Sequence, residues 1–171
     1  MKIAIVSREN LRNKKYWSGV IANIFFQLKK VENIEIIEID NLNNIYRKMH
    51  ALKREYIRLI SNSKYDEAYN IKVSKNFANQ INNKLKSFKE INYILAFDKS
   101  LIAYLKTDIP IILWTDILYS DYYEHYYSKH KISKKTKNEI KIIEKKAINN
   151  SYKIILTSNW ALNKAKKKYH Y

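Results

Sequence analysis

The chain contains one glycine, Gly19, and it follows Ser18 at the predicted start of the first helix. The first turn of a helix carries free N–H groups and the positive end of the helix dipole, and both favour a bound phosphate. A glycine at that place lets a ligand approach the backbone closely. Gly19 could equally serve only to relieve a tight turn, with Ser18 as an ordinary helix N-cap. The pair therefore predicts either a phosphate-binding turn or a plain helix start.

A second polar pair, Thr115 and Asp116, directly follows a predicted strand that ends at Trp114. Ligands of open parallel sheets bind at the carboxyl ends of the strands. An acid at that place can accept a hydrogen bond from a sugar hydroxyl or act as a general base. Asp116 could instead cap a following helix, which is the simpler reading of its position. Both interpretations stay open on the sequence.

A third group, Ser158 and Trp160, follows the last predicted strand. Ser158 stands where a helix N-cap belongs, and it also lies at the carboxyl end of a strand, where a ligand would bind. Trp160 falls in the first turn of the predicted helix. Its ring could pack in the core or line the wall of a cleft.

An aromatic and histidine-containing segment lies between these groups. Tyrosines can stack on sugars or bases, although they more often fill the apolar side of a helix. His125 and His130 are five positions apart and lack a convergent Cys or Asp, so we predict no metal site. The tyrosines of this segment are Tyr119, Tyr122, Tyr123, Tyr126 and Tyr127. With a single glycine, the chain cannot carry the glycine-rich fingerprint of the common nucleotide-binding loops.

The elements that must position these residues alternate between strands and helices. Short apolar runs predict strands at 2–7, 34–39, 93–97, 109–114 and 152–157. Apolar positions spaced by three and four predict helices at 20–30, 42–60, 64–88, 101–105, 133–149 and 159–169. This alternation is typical of an α/β fold. We predict one Rossmann-like domain over 1–171, with a parallel sheet of five or more strands and helices on both faces.

The net charge of +17 is the strongest feature of the composition. Such a charge favours phosphate-rich partners, including anionic lipid, a lipid pyrophosphate or nucleic acid. The basic residues are mostly lysine in a chain also rich in Asn, Ile and Tyr, so AT-rich codons could supply much of the charge instead. The chain has no cysteine, no signal-peptide pattern and no apolar stretch of membrane-spanning length. We therefore predict a cytoplasmic protein, with peripheral attachment to the inner face of a membrane as an option.

Two segments of the sequence resemble a known family when they are taken together. The run IPIILWTD at 109–116 is similar to the proline–apolar–Trp–Thr–Asp segment of family-4 glycosyltransferase N-terminal domains. The later runs IEKKAI at 143–148 and YKIILTSNWA at 152–161 resemble another segment of the same domains. The likeness is strong over 109–171, moderate over 1–40 and weak over 41–90.

The resemblance implies the N-terminal, acceptor-binding half of a GT-B enzyme, which faces a nucleotide-sugar-binding domain across a cleft. Such enzymes are typically retaining and use no catalytic metal or other cofactor. Carried over by position, Gly19 would approach the donor diphosphate, and Asp116 would lie near the acceptor hydroxyl and the reacting carbon. Ser158 and Trp160 would line the floor of the cleft. The donor-binding domain has no counterpart in the chain, which is expected to be inactive alone.

The resulting prediction is a glycosyltransferase domain that helps to move a sugar from a nucleotide sugar to a hydroxyl of a glycan or lipid-linked acceptor. The rival from another class is a basic binding module, without catalysis, that holds nucleic acid or an anionic membrane. A single stripe of lysines with interleaved aromatics would favour nucleic acid. The lysines are spread along the chain, with modest concentrations at 129–146 and 164–168, so we do not expect nucleic acid to be the partner.

Overall fold

The computed structural model describes residues 1–43, 45–61, 69–118 and 132–169. Within these ranges five strands alternate with six α-helices, and a short 3-10 helix, Tyr16–Gly19, precedes the first of them. The strands are β1 (Lys2–Val6), β2 (Glu35–Ile39), β3 (Tyr93–Ala96), β4 (Ile111–Thr115) and β5 (Lys153–Leu156). The helices are α1 (Val20–Leu28), α2 (Ile45–Ser61), α3 (Ile71–Leu85), α4 (Lys99–Ile102), α5 (Lys134–Asn150) and α6 (Asn159–Tyr169).

The strands form one parallel sheet in the order β2-β1-β3-β4-β5. Ala4 at the centre of β1 pairs with Ile37 of β2 on one side and with Ile94 of β3 on the other. Every pairing between neighbouring strands is parallel. The predicted α/β fold with a Rossmann-like parallel sheet is therefore confirmed. The order reverses direction between β1 and β3, which makes that place the switch point of the sheet.

Helices cover both faces of the sheet, as predicted. On one face, Ile21 and Phe25 of α1 pack against Ile5 of β1 and Leu95 of β3. On the other face, apolar residues of α3, α4 and α5 form the larger core with the second side chains of the same strands. Since alternate residues of a strand point to opposite faces, strands covered on both faces must be apolar along the covered part, as β1 is from Ile3 to Val6 and β3 is from Tyr93 to Ala96.

Helix starts are where the structure differs most from the sequence prediction. The predicted capping role of Ser18 is wrong: Gly19 is the N-cap of α1, and no side chain caps that helix. Helix α4 begins two residues earlier than predicted, because the Asp98 carboxylate accepts the Ser100 N–H at 2.8 Å. Helix α3 begins at Ile71, where the Asn70 side chain accepts the N–H groups of Lys72 and Val73. The predicted start of that helix, at 64, falls outside the described residues.

Other predicted starts agree with the structure. Ser133 caps α5 by accepting the Thr136 N–H at 3.1 Å. Pro110 lies directly before β4, where its missing N–H disrupts no ladder bond and its carbonyl accepts the Ile94 N–H at 2.9 Å. None of the described helices is both long enough and apolar enough to cross a bilayer.

Candidate functional site

The polar residues that follow β1, β3, β4 and β5 lie at the carboxyl edge of the sheet. Because all five strands are parallel, their carboxyl ends share this edge. Arg8 follows β1 and Asp98 follows β3, on the two sides of the switch point. Asp116 follows β4 and Thr157 follows β5. This edge is where ligands of doubly wound sheets bind.

A buried ion pair joins the two strands at the switch point. Nη2 of Arg8 donates a hydrogen bond to Oδ2 of Asp98. The two side chains are only 11% and 6% exposed, so water screens the pair weakly. Oδ1 of Asp98 accepts the Ser100 N–H at the start of α4. One carboxylate therefore fixes both the end of β1 and the beginning of α4.

The pKa values of this cluster keep it ionised near neutral pH. Burial acts to raise the pKa of the Asp98 carboxyl, but Arg8 and the hydrogen bonds of Ser100 outweigh it, so this pKa lies below its usual range. Burial acts to lower the pKa of Arg8, but Asp98 and Tyr16 outweigh it, so this pKa is raised. Burial is also the main cause of the raised pKa of Tyr16, which stays a neutral phenol. The cluster is thus a charged pair beside a neutral hydroxyl.

A buried lysine engages the predicted substrate residue Thr115. Nζ of Lys99 donates to Oγ1 of Thr115 at 3.0 Å and to the carbonyl of Ile117 at 2.8 Å. Thr115 is fully buried, and its hydroxyl also lies 3.2 Å from the Ile117 carbonyl as a donor. Thr115 and Lys99 therefore shape the turn that leads from β4 to Asp116, and Thr115 lies beneath that turn rather than at the surface.

Three consecutive residues before α1 adopt left-handed backbone conformations. Trp17 has φ 49°, Ser18 has φ 50° and Gly19 has φ 80°. The last of these requires glycine, since a Cβ at Gly19 would lie 3.1 Å from the carbonyl oxygen of Lys14. The left-handed conformation costs about 1–2 kcal/mol for each of the other two residues. The turn closes with the Val20 N–H donating to the Trp17 carbonyl.

An open cleft of about 500 Å³ lies between this left-handed turn and the ends of β3, β4 and β5. The rings of Phe97 and Trp114 lie 6.4 Å apart between centroids, inclined at 41°. Asp116 is exposed, and its Oδ1 accepts the N–H of Ile117 at 2.9 Å. The cleft is lined by Trp17, Ser18, Val20, Phe97, Trp114, Asp116 and Thr157. Four of these seven residues are apolar, three of them aromatic, and the other three carry a hydroxyl or a carboxylate.

Several buried donor atoms at this edge have no hydrogen-bond partner in the part of the chain that the structure describes. They include Oγ of Ser7, Nε of Arg8 and Nε1 of Trp114. Buried polar atoms in folded proteins are normally paired, so each such atom calls for an explanation. Trp114 is the only one of these three residues that lines the cleft.

The structure brings together only some of the residues that the sequence singled out. Ser18 and Asp116 line the same cleft, although 98 positions separate them in the chain. Gly19 is buried beside it as the cap of α1. Ser158 caps α6 by accepting the Ala161 N–H at 3.2 Å. Trp160 is half-exposed under Nζ of Lys164, 5.9 Å from the ring centroid, and neither Ser158 nor Trp160 is among the residues that line the cleft.

Sequence reasoning missed two features of this edge. It did not single out Arg8 or Asp98, although a charged residue directly after each of two buried strands was a usable signal. It also passed over Trp17, whose position next to the only glycine gave little indication of a left-handed turn. The tyrosine and histidine segment, from Tyr119 to His130, lies outside the described residues.

The chemistry available in the cleft is that of stacking and hydrogen bonding. Aromatic rings bind the apolar faces of planar or ring-shaped ligands, and a carboxylate accepts hydrogen bonds from hydroxyl groups. Over the described ranges, no group of three His, Asp or Glu side chains converges to hold a metal ion. Comparison of the chain with models of protein families, with curated proteins and with solved structures finds no match.

Proposed function

We propose that the cleft binds a sugar and that the chain is the acceptor-binding domain of a GT-B-type glycosyltransferase. In this proposal the enzyme moves a sugar from a nucleotide sugar to a hydroxyl of a glycan or a lipid-linked acceptor. The observation that carries the proposal is the cleft itself, in which Trp17 and Trp114 share the walls with the exposed carboxylate of Asp116. The resemblance of the segments around Asp116 and Ser158 to that family adds to it.

The composition of the cleft suits a carbohydrate. Small-molecule sites commonly measure about 300–1,000 Å³ and combine apolar walls with a few polar groups, and this cleft has that character. The C–H faces of a pyranose ring pack well against indole rings, while its hydroxyls need hydrogen-bond partners. The Asp116 carboxylate would accept hydrogen bonds from the sugar hydroxyls, and the Ser18 hydroxyl could both donate and accept.

Asp116 would orient the attacking hydroxyl of the acceptor. A hydroxyl that donates to a carboxylate is held with a lone pair free for the anomeric carbon of the donor. During transfer the bond from that carbon to the diphosphate oxygen breaks, and the bond to the acceptor oxygen forms. Asp116 would accept the proton that the acceptor hydroxyl loses. The role assigned to Gly19 is close approach of the donor diphosphate to the backbone at the start of α1.

The rival function, binding of nucleic acid through lysines, has less support. Exposed lysines lie on several different helices, including Lys72 on α3, Lys141 on α5 and Lys167 on α6. A recognition surface for nucleic acid would concentrate them along one groove or helix face. A gel-shift with generic duplex and single-stranded DNA at physiological salt separates the two proposals, since tight binding there would favour the rival.

The proposal is tested by the fluorescence of the tryptophans. Two of the three tryptophans, Trp17 and Trp114, line the cleft, so a bound sugar should change their emission. The chain is titrated with a panel of mono- and disaccharides and with a water-soluble, short-chain lipid diphosphate sugar. We expect at least one of them to give a saturable change. Trp160→Phe should leave that change intact, because Trp160 does not line the cleft.

A matched pair of charge-neutralising variants locates the binding. Asp116→Asn should weaken the saturable binding by about tenfold or more, as expected when a hydrogen bond to a charged group is lost. Asp108→Asn removes the same charge at another exposed site and should leave binding unchanged. Equal binding by both variants and the unmodified chain, or no saturable response across the whole panel, would count against a sugar site here. We expect no sugar transfer by the chain alone with any nucleotide sugar.

A further inference from the structure

Helix α2, Ile45–Ser61, presents an apolar stripe to solvent. Its members are Ile45, Met49, Leu52, Tyr56 and Leu59, and each side chain is at least 58% exposed. They are spaced by four, three, four and three positions, so they lie on one side of the helix. An exposed continuous stripe of this kind differs from the isolated apolar residues found on most protein surfaces.

The other side of α2 faces the rest of the domain. Helix α2 lies against α3, and the half-buried side chains of α2 are those of His50, Ala51 and Glu55. None of the α2 side chains that the structure describes is fully buried. A surface helix normally turns its apolar side to the core and its polar side to water. Among the α2 side chains that the structure describes, the five of the stripe are exposed instead, so they do not belong to the domain core.

The positive charge of α2 indicates which kind of partner could cover the stripe. The segment 45–61 contains five lysine and arginine residues and one glutamate. Lys48 is exposed and lies three positions after Ile45 and four before Leu52, so it borders the stripe. A second copy of the helix packed on the first would bring two strongly positive surfaces together. A surface that is both apolar and negatively charged would instead bind the stripe and pair with Lys48 beside it.

We propose that α2 binds an anionic lipid bilayer, lying flat at its surface. The stripe enters the boundary between headgroups and acyl chains, while Lys48 beside it contacts lipid phosphates. Seventeen residues give a helix about 25 Å long, which is held in the plane of the bilayer rather than across it. The proposal rests on α2 alone and stands or falls independently of the sugar site in the cleft.

Vesicle flotation tests the proposal with the full chain. The chain should float with vesicles of equimolar phosphatidylcholine and phosphatidylglycerol at low salt, and much less with phosphatidylcholine alone. Leu52→Ser combined with Leu59→Ser should weaken binding to the mixed vesicles by about tenfold or more, because two inserted leucines are lost. Val31→Ser combined with Phe88→Ser, at exposed apolar sites outside α2, should leave binding unchanged.

A second measurement places the helix in the lipid directly. In Leu52→Trp the new indole should shift its emission to the blue on adding mixed vesicles and be quenched by brominated acyl chains, relative to the unmodified chain. Equal flotation of the stripe variant and the unmodified chain would overturn the proposal. So would a large fall in the thermal midpoint of the stripe variant, since the stripe would then pack within the fold. A dimer that the variant converts to monomer, without lipid binding by either, would identify a second copy as the occupant and also overturn it.

Discussion

Replacement of Asp98 by asparagine should weaken the fold strongly while leaving most of its local geometry in place. The change removes the negative charge opposite Arg8 but keeps an oxygen that can accept the Ser100 N–H. Arg8 would then lie in a site only 11% exposed without its counter-charge. Removing one partner of a buried ion pair typically costs about 3–5 kcal/mol. A domain of this size is stable by about 5–15 kcal/mol, so the loss is a large fraction of the total.

Urea unfolding, followed by circular dichroism, measures the loss in free energy of unfolding. Thermal unfolding followed in the same way measures the shift of the midpoint. At about 2–4 °C for each kcal/mol, the thermal midpoint of Asp98→Asn should fall by roughly 6–20 °C. Glu35→Gln is the control, because Glu35 pairs with Lys2 at 3.6 Å on the surface, where the Glu35 side chain is 63% exposed. An exposed pair contributes about 0–1 kcal/mol, so this variant should stay close to the unmodified chain.

The destabilisation caused by Asp98→Asn should depend on pH, in a direction that follows from the lowered pKa of Asp98. The pKa of Asp98 is lower in the folded chain than in the unfolded chain, where it lies at about 3.9. The stability that Asp98 contributes is therefore complete above that unfolded value and is lost as the pH falls through the folded value. The difference between the variant and the unmodified chain should be constant near neutral pH and shrink in acid below about pH 4. A destabilisation by Asp98→Asn below about 1 kcal/mol, or one equal to that of Glu35→Gln, would refute the role given to the Arg8–Asp98 pair.

Two further substitutions address contacts outside this pair. Gly19→Ala should lower the free energy of unfolding by about 1–2 kcal/mol, because φ is 80° there and a Cβ would meet the carbonyl of Lys14; unchanged urea unfolding would contradict the left-handed turn. Tyr169→Phe should cost about 1.5–3 kcal/mol, since the Tyr169 hydroxyl donates to the buried carboxylate of Glu144 at 2.5 Å. Tyr152→Phe, at a side chain 73% exposed, should change the same measurement by less than about 0.5 kcal/mol, and equal effects of the two would show that the bond to Glu144 contributes little.

The fold was largely predictable because its strands are short apolar runs between polar segments. Each predicted strand is present within two residues of its predicted ends. The order of the strands was not predictable from such runs, because it depends on which helix crosses which face of the sheet. The N-cap of α1 was also not predictable from the sequence pattern. A serine before an apolar helix favours an N-cap, whereas Ser18 here sits in a left-handed turn that few non-glycine residues adopt.

The candidate site also has parts that the sequence predicts and parts that it does not. Asp116 and Ser18 could be expected at one edge of the sheet, because the carboxyl ends of parallel strands share it. The pairing of Arg8 with Asp98 could not, since each alone looks like a polar residue at the end of a strand. Their contact follows only from β1 and β3 being neighbours. An ion pair between residues far apart in the sequence can be predicted only after the strand order is known.

The position of β1 between β2 and β3 sets a delay during synthesis. This strand is translated before the other four described strands, yet the N–H of Lys2 waits for Asn92, 90 positions along the chain, and the same interval separates Arg8 from Asp98. At about 5–20 residues per second, the ribosome needs roughly 5–20 s to supply them. Throughout that interval the apolar residues 3–6 of β1 have one unpaired edge, and Arg8 lacks its counter-charge. The nascent chain therefore exposes, for several seconds, apolar strand residues that a chaperone could bind and that are buried in the folded protein.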